Sequence, residues 1–291
     1  MHIKQIYMPI GEKSKLRELD LINNGNLLNE TSSYHLSIEI FSNQINYSLF
    51  NIKKLEYSIL RSIYIKTHEL SELVKKIGSE ELLQQNYASS TLSYSNFDST
   101  IIPNSLFIEQ DKSKYLNFVC DSYKIIKSEQ ITQLNATIIY SIPNRINKII
   151  KDIQPDIIER NTTAILINQI INQYKYIDEK TVFLILNKNK IEVLDIKKDK
   201  LYLHNIFSYN NEIDILYYIL YIYEQLDLDT KRNQLFIYGD IEKKDDLYLL
   251  LYKYIQEVKF GIKNESTRVN DEIKSVKKHE YYALFSQITC V

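Results

Sequence analysis

The sequence predicts an α/β protein in which one order of elements, βββαβαβα, occurs twice to give mixed sheets flanked by helices. Two segments carry this reading. LSIEIFSNQINYSLFNIKKLEYSILRSIYI, from Leu36, alternates apolar and polar residues with a period of two, which is the signature of strands. Leu36, Ile38 and Ile40 fall on one side and Ser37, Glu39 and Phe41 on the other. TVFLILNKNKIEVLDIKKDKLYLHNIFSY, from Thr181, repeats the pattern. A third observation joins them: each meander is followed by helical spacing and then by a short strand of buried type.

Turns of the first meander fall at Ser42-Asn43-Gln44 and Asn51-Ile52-Lys53-Lys54. HELSELVKKIGSEELLQQ, from His68, has helical spacing in Leu70, Leu73, Val74 and Ile77. Thr91 to Ser95 reads as a strand, Ser105 to Val119 as a helix after Pro103, and Ala136 to Tyr140 as a buried strand. Arg145 to Ile153 is a helix stopped before Pro155, and Thr162 to Tyr174 is a helix between the two sets. In the second set the turns are Asn187-Lys188-Asn189-Lys190 and Lys197-Lys198-Asp199-Lys200. A helix from Asn211, a strand from Asn233 to Tyr238, a helix from Asp245 to Val258 and a closing helix from Glu280 to Ile288 follow. The stretch from Phe260 to Val276 is polar and ambiguous. The expected organisation is a polar lead-in with a short helix (1–33), a first lobe (34–160), a connecting helix (161–180) and a second lobe (181–291).

Composition narrows the function classes. The 291 residues include 36 basic and 37 acidic ones, a net charge of −1, so no strong field attracts phosphate backbones or anionic lipid. Lys274, Lys277 and Lys278 are the nearest thing to a basic patch and read as a solvated face. Cys120 and Cys290 lie far apart without metal-ligand spacing and are expected as reduced thiols in a cytoplasm. The N-terminal MHIKQIYMPIGEKSKLREL has charges throughout and does not read as a secretory signal. The longest uncharged apolar run, Ile215 to Tyr223, is too short for a bilayer. Five Gly, four Pro and no Trp beside 24 Tyr suggest coding from AT-rich DNA, so richness in Tyr and Asn is discounted.

Three stretches carry a resemblance. LSIEIFSNQINYSLFN looks like an opening hairpin and TIIPNSLF (Thr100 to Phe107) like a strand–Pro–helix junction. The longest is LYLHNIFSYNNEIDILYYILYIYEQLDLD running into QLFIYGDIEKKDDLYLLLYKYI, in which Asn205, Phe207, Asp214, Tyr217, Tyr218, Gln225 and Gly239 weigh most. On these the chain resembles an uncharacterised bacterial family, a domain of unknown function from Bacteroidetes-type genomes. The resemblance implies a two-lobed, ribonuclease H-like architecture, that of the actin-like ATPase superfamily, which includes sugar kinases and the large heat-shock chaperones.

Active members of that superfamily hold Mg-ATP between their halves, using an Asp-x-Gly hairpin in each and a Gly-Gly turn against the adenosine. Gly admits the phosphates to the backbone and Asp holds the metal's water shell. Here the corresponding turns are Ser42-Asn43-Gln44 and Asn187-Lys188-Asn189-Lys190, and Gly239 stands alone before Asp240. A bound nucleotide would meet Ser42, Asn43, Asn187, Lys188 and Gly239; Lys188 or Lys190 could hold a phosphate as a point charge. Gly239 also reads simply as a strand end.

No catalytic or metal-binding residues are identified, and no cofactor is expected. His2, His35, His68, His204 and His279 lack ligand or nucleophile spacing, and His279-Glu280 near Cys290 does not complete a tetrahedral set. No Walker loop, G-x-S-x-G or G-x-G-x-x-G occurs. Asp245 and Asp246 suit a helix N-terminus. In the Tyr-rich helix, Ile213, Leu216, Tyr217 and Leu220 are expected on one apolar face that Tyr218 and Tyr221 widen, either buried or lining a partner groove. The expected function is protein binding or scaffolding without enzymatic activity on a degenerate pseudo-ATPase fold. The partner is another protein, with no nucleic acid and no membrane insertion. The alternative is a nucleotide-binding switch or an atypical ATPase or kinase with its site between the lobes. With a net charge of −1, the protein should pass through heparin at physiological salt; retention would contradict the charge reading.

Overall fold

Alternating residues build the sheets. The computed structural model describes residues 19–22, 31–65, 69–117, 125–262, 268–269, 273, 276–277 and 279–290. The first strands are β1 (Leu19–Ile22), β2 (Tyr34–Ile40), β3 (Gln44–Asn51), β4 (Glu56–Tyr64) and β5 (Ser89–Tyr94). Then come β6 (Ser99–Pro103), β7 (Ile125–Ile131), β8 (Ala136–Ile142) and β9 (Ile158–Asn161). The later ones are β10 (Thr181–Leu186), β11 (Lys190–Lys197), β12 (Lys200–Ser208), β13 (Leu235–Tyr238), β14 (Val258–Phe260) and β15 (Arg268–Val269). The helices are α1 (Leu70–Ser79), α2 (Lys112–Asn117), α3 (Asn144–Ile153), α4 (Thr162–Tyr174), α5 (Glu212–Gln225), α6 (Asp246–Tyr254) and α7 (Tyr282–Ser286).

Both meanders are where the alternation puts them, and they lie in different sheets. The first sheet has the order β1-β4-β3-β2-β5-β9, with β15 also pairing with β4; the second has the order β12-β11-β10-β13-β14. In each, three antiparallel strands are extended by two parallel ones, β5 and β9 in one case and β13 and β14 in the other. β6, β8 and β7 form a third, antiparallel sheet between β5 and β9 in the chain.

Several elements differ from expectation. Leu19–Ile22, inside the polar lead-in, is a strand on the edge of the first sheet. The strand at Ala136 belongs to the third sheet, and β9 takes the place beside β5 instead. Among the described residues the helix expected from Ser105 is confined to Lys112–Asn117, and that expected to reach Val258 stops at Tyr254 before β14. The closing helix is α7 followed by a 3-10 turn, Gln287–Cys290. β6, β9 and β14 have three to five residues each, too few to establish a period, and pairing rather than pattern makes them strands. Cys120, His2, His68, Lys274 and Lys278 lie outside the described residues.

The second sheet is apolar on both faces. Val182, Leu184, Val193 and Ile237 pack under α5 and α6, while Phe183, Ile185, Leu194 and Phe236 join the larger core. On that side Tyr174 of α4 meets Phe183 at 5.1 Å and Phe236 at 4.6 Å between ring centroids. Asn161 caps α4, its Oδ1 accepting from the amides of Thr163 (2.9 Å) and Ala164 (3.3 Å). In α5 the buried face is Ile215, Leu216, Ile219, Ile222 and Tyr223, whereas Ile213, Tyr217 and Tyr221 are exposed, which corrects the face read from sequence.

The first sheet has one apolar side and one mixed side, where Phe50, Tyr57 and Leu60 pack with Leu284 and Phe285 beside a row of polar residues. Leu36, Ile38 and Ile40 share a core with Leu73 and Ile77 of α1 and Ile146 and Ile150 of α3. The other side carries His35, Ser37, Glu39, Asn46, Ser48, Ser62, Thr91 and Ser93, all buried. The C-terminal segment supplies partners there: Gln287 Nε2 donates to Ile38 O (2.9 Å) and Ser93 Oγ (2.8 Å), and its Oε1 accepts from Thr91 Oγ1 (2.8 Å). His35 bonds Ser89 Oγ (2.7 Å) and Thr91 Oγ1 (3.0 Å), and burial lowers its pKa to about 4, so the ring is neutral at pH 7.

Asp195 is out of keeping with its surroundings. It is fully buried on β11, paired across the strands with Val182, and neither carboxylate oxygen has a hydrogen-bond partner. Burial raises its pKa from 3.8 to about 6. The folded state therefore holds this proton more tightly than the unfolded chain, and stability is lost as the pH rises from about 4 through about 6. Asp195→Asn removes the charge at nearly constant volume. Thermal unfolding should show the variant more stable by about 1–3 kcal/mol at pH 7.5 with the advantage shrinking by pH 4.5, since one pKa unit is about 1.4 kcal/mol. A pH-independent difference would contradict this account.

Candidate functional site

The two turns that would face phosphates in an active relative are brought to either side of Tyr64. In the first, Phe41 N donates to Gln44 O (2.9 Å), and Ile65 N, next to Tyr64, donates to Asn43 O (2.9 Å). Ser42 is exposed and Asn43 buried. Gln44, opposite Tyr64 in the β3–β4 register, donates to Asn46 Oδ1 (2.7 Å) and Ser62 Oγ (2.9 Å). The second turn reaches across to the same region. Lys188 Nζ lies 5.1 Å from the centroid of the Tyr64 ring, and burial lowers the ammonium's pKa.

Asn96 completes the bridge. It follows β5 with a left-handed φ of 63°, tolerable for Asn. Its Oδ1 accepts from Asn187 Nδ2 (3.0 Å) and its carbonyl from Lys190 Nζ (3.3 Å). Tyr209 Oη braces the turn from behind, donating to the carbonyls of Asn187 (2.9 Å) and Lys188 (3.0 Å). The side chains of Asn187 and Lys190 and the carbonyls of Asn187 and Lys188 are therefore engaged within the protein.

Gly239 sits beside this turn. Its φ is +113°, and a Cβ there would stand 2.6 Å from the carbonyl oxygen of Leu186, so glycine is required by close approach. The chain's own C-terminal segment lies along the same loop. His279 O accepts from Gly239 N (2.9 Å), His279 Nε2 bonds Ile241 O (2.9 Å), and the imidazole stacks on Phe260 at 4.3 Å. Lys277 pairs with Asp240 (3.3 Å) and Glu242 (3.0 Å), which makes it part of an ion cluster rather than of a basic patch.

The carboxylate nearest the first turn along the chain, Glu39, is buried and accepts from Ser95 Oγ (2.7 Å). Burial holds its pKa up at about 7, so much of it carries a proton at neutral pH. Among the described residues no group of three His, Cys, Asp or Glu stands together as a metal site. His204 pairs with Glu192 (2.9 Å) on neighbouring strands.

A concave feature elsewhere was not legible in the sequence: the resemblance gave a strand before Pro103, but not that its edge would face β12. A groove of about 800 Å³ runs between β6 and β12 and is also lined by Leu134 and Ala136. Residues 98–101 and 199–206 line it consecutively, so the edges of the two strands face it, since a sheet face would contribute every second residue.

A family model described as Protein of unknown function (DUF3822) matches residues 23–258. No curated protein matches the chain by sequence. Among solved structures, a Bacteroides thetaiotaomicron protein with an actin-like ATPase fold and unknown function aligns with a TM-score of 0.78 at 19% identity, over 91% of this chain and 98% of that one. A chain of the PilM-PilN type IV pilus biogenesis complex aligns with a TM-score of 0.57 at 9% identity, over 87% and 95%. The chain has an actin-like ATPase fold.

Gly239 offers a direct check on this geometry. Gly239→Ala must either move Leu186 or leave φ = +113°, and should cost roughly 1–3 kcal/mol in a denaturant titration. An unchanged midpoint would show that the loop approaches Leu186 less closely than described.

Proposed function

The chain belongs to the family described as Protein of unknown function (DUF3822), and on that footing we propose that it is a non-enzymatic protein-binding or scaffold protein that keeps the actin-like shape without its nucleotide chemistry. One observation carries the reading: the second turn is bonded through Asn187 and Lys190 to Asn96, with Lys188 over Tyr64. Triphosphate entering there would displace these contacts, and neither turn has a glycine to admit it or a carboxylate to hold magnesium. Lys277 and His279 crowd the loop at Gly239 in the same way.

In this reading residues 34–160 and 181–291 are two lobes joined by 161–180, and the protein works in the cytoplasm. No helix among the described residues is long and apolar enough to cross a membrane. The PilM-PilN complex is an instance of a similar fold within a protein assembly, which supports protein partners as the class to seek.

A thermal-unfolding scan with and without millimolar Mg-ATP tests the proposal. A nucleotide present at about 100 times its dissociation constant would stabilise the native state by about 2.7 kcal/mol. The expected result is no shift and no phosphate release. A shift without turnover would favour a nucleotide switch, and magnesium-dependent phosphate release would overturn the non-enzymatic reading.

A further inference from the structure

We propose that the groove between β6 and β12 receives an extended, uncharged segment of a partner protein, which adds to the free edge of β12 as an extra strand. This deepens the protein-binding reading and rests on it. Among the described residues β12 pairs only with β11, and β6 only with β8. The bonds flanking the strands fix which amides face the groove. Tyr209, just past β12, donates its amide inward to Asn189 O (3.2 Å), so by alternation the amides of Ile206 and His204 point outward. The outward donor at Ile206 is met by a neighbouring side chain, Asn205 Oδ1 at 3.0 Å. Across the groove, Asn104 N donates to Asn135 O (3.0 Å) on the β8 side, which turns the amide of Ile101 toward the groove.

Natural sheets blunt such edges with charge, proline or brevity. β12 has nine residues, and between Lys200 and Ser208 it contains no Lys, Arg, Asp, Glu or Pro. Its histidine is already engaged by Glu192. An edge of this kind is a template for strand addition, with backbone bonds supplying affinity and side-chain contacts selectivity.

The groove also states what it would accept. Asp98 and Asp199 are balanced by Lys190 and Lys200, so no net charge selects a phosphopeptide, an acidic tail or nucleic acid. Ile101, Leu134, Leu201 and Leu203 offer apolar contacts. The occupant that fits is an extended run of β-branched and small residues, bounded by the five residues of β6 and the nine of β12.

The probe is a displayed library of nonapeptides restricted to Val, Ile, Thr, Ser and Ala, selected against the full chain. The expected result is saturable binding that slows hydrogen exchange at the amides of His204 and Ile206 by about tenfold or more. Ile206→Pro removes an outward donor without breaking the β11 ladder and should weaken binding at least about tenfold, whereas Tyr217→Ala on the exposed face of α5 should leave it unchanged. Should the proline variant not fold, N-methylation along the selected peptide gives the same information: alternate positions should abolish binding and those between should tolerate it. No saturable binding, indifference to N-methylation, or protection centred on the α5 tyrosines would overturn the proposal. A chain that ignores both Mg-ATP and the library loses the groove assignment alone, while a nucleotide response strikes at the wider reading.

Discussion

A single amide side chain, that of Gln287, meets a constraint that shapes much of the interior. The first sheet turns a row of serine, threonine and asparagine inward, and a buried polar group without a partner costs on the order of 1–3 kcal/mol. Part of the row is satisfied within the sheet, His35 by Ser89 and Thr91 and Asn46 by Gln44 and Ser62. Gln287 answers it with bonds to Thr91, Ser93 and the carbonyl of Ile38. The seat is not wholly polar, since the Tyr57 ring packs at a tilt on Phe285, 4.5 Å between centroids, and its hydroxyl donates to the Phe285 carbonyl. Ser37 and Ser48 still lack partners, so the match is good rather than complete.

From that seat the C-terminal segment reaches α4 and the second sheet. Tyr282, one turn before Gln287, donates to Gln173 of α4 (2.9 Å) and packs on Tyr238 of the second sheet at 4.6 Å. Gln169 of α4 donates to Thr289 (2.6 Å). The C-terminal residues thus touch the first sheet, α4 and the second sheet within a few positions of one another. The same segment, a little earlier, runs past Gly239, so a structural role accounts for residues near the cleft that might otherwise be taken for chemistry.

Much of this was legible from sequence, for a physical reason. Strands with seven or more alternating residues, such as Tyr34–Ile40 and Lys190–Lys197, declare themselves through periodicity, and α4 and α5 do so through helical spacing and Asn caps. What stayed hidden was set by partners far away in the chain. Ile158–Asn161 is a strand because Thr91–Tyr94 lies beside it, and Val258–Phe260 because Leu235–Ile237 does. The third sheet was misplaced on the same ground, since nothing in Ala136–Ile142 says which neighbour it will choose. At the cleft, the substituted turns were visible as residue types, but Asn96 and Tyr64 were not foreseeable as the groups they would meet. Asn96 is two residues after a serine-rich strand, has a left-handed backbone, and accepts from Asn187.

The mixed character of the C-terminal seat bears on how the molecule responds to temperature. Exposing apolar surface raises heat capacity, whereas exposing polar surface lowers it. The second sheet, apolar on both faces, is held chiefly by a force that weakens on cooling. The bonds of Gln287 to the first sheet join amide, hydroxyl and carbonyl groups, and separating them adds nothing to the apolar rise in heat capacity. The apolar packing of the second sheet, entropic near room temperature, thus differs in thermal character from the bonds of Gln287. Cooling therefore weakens the packing of the second sheet more than it weakens the bonds by which Gln287 holds the C-terminal segment to the first.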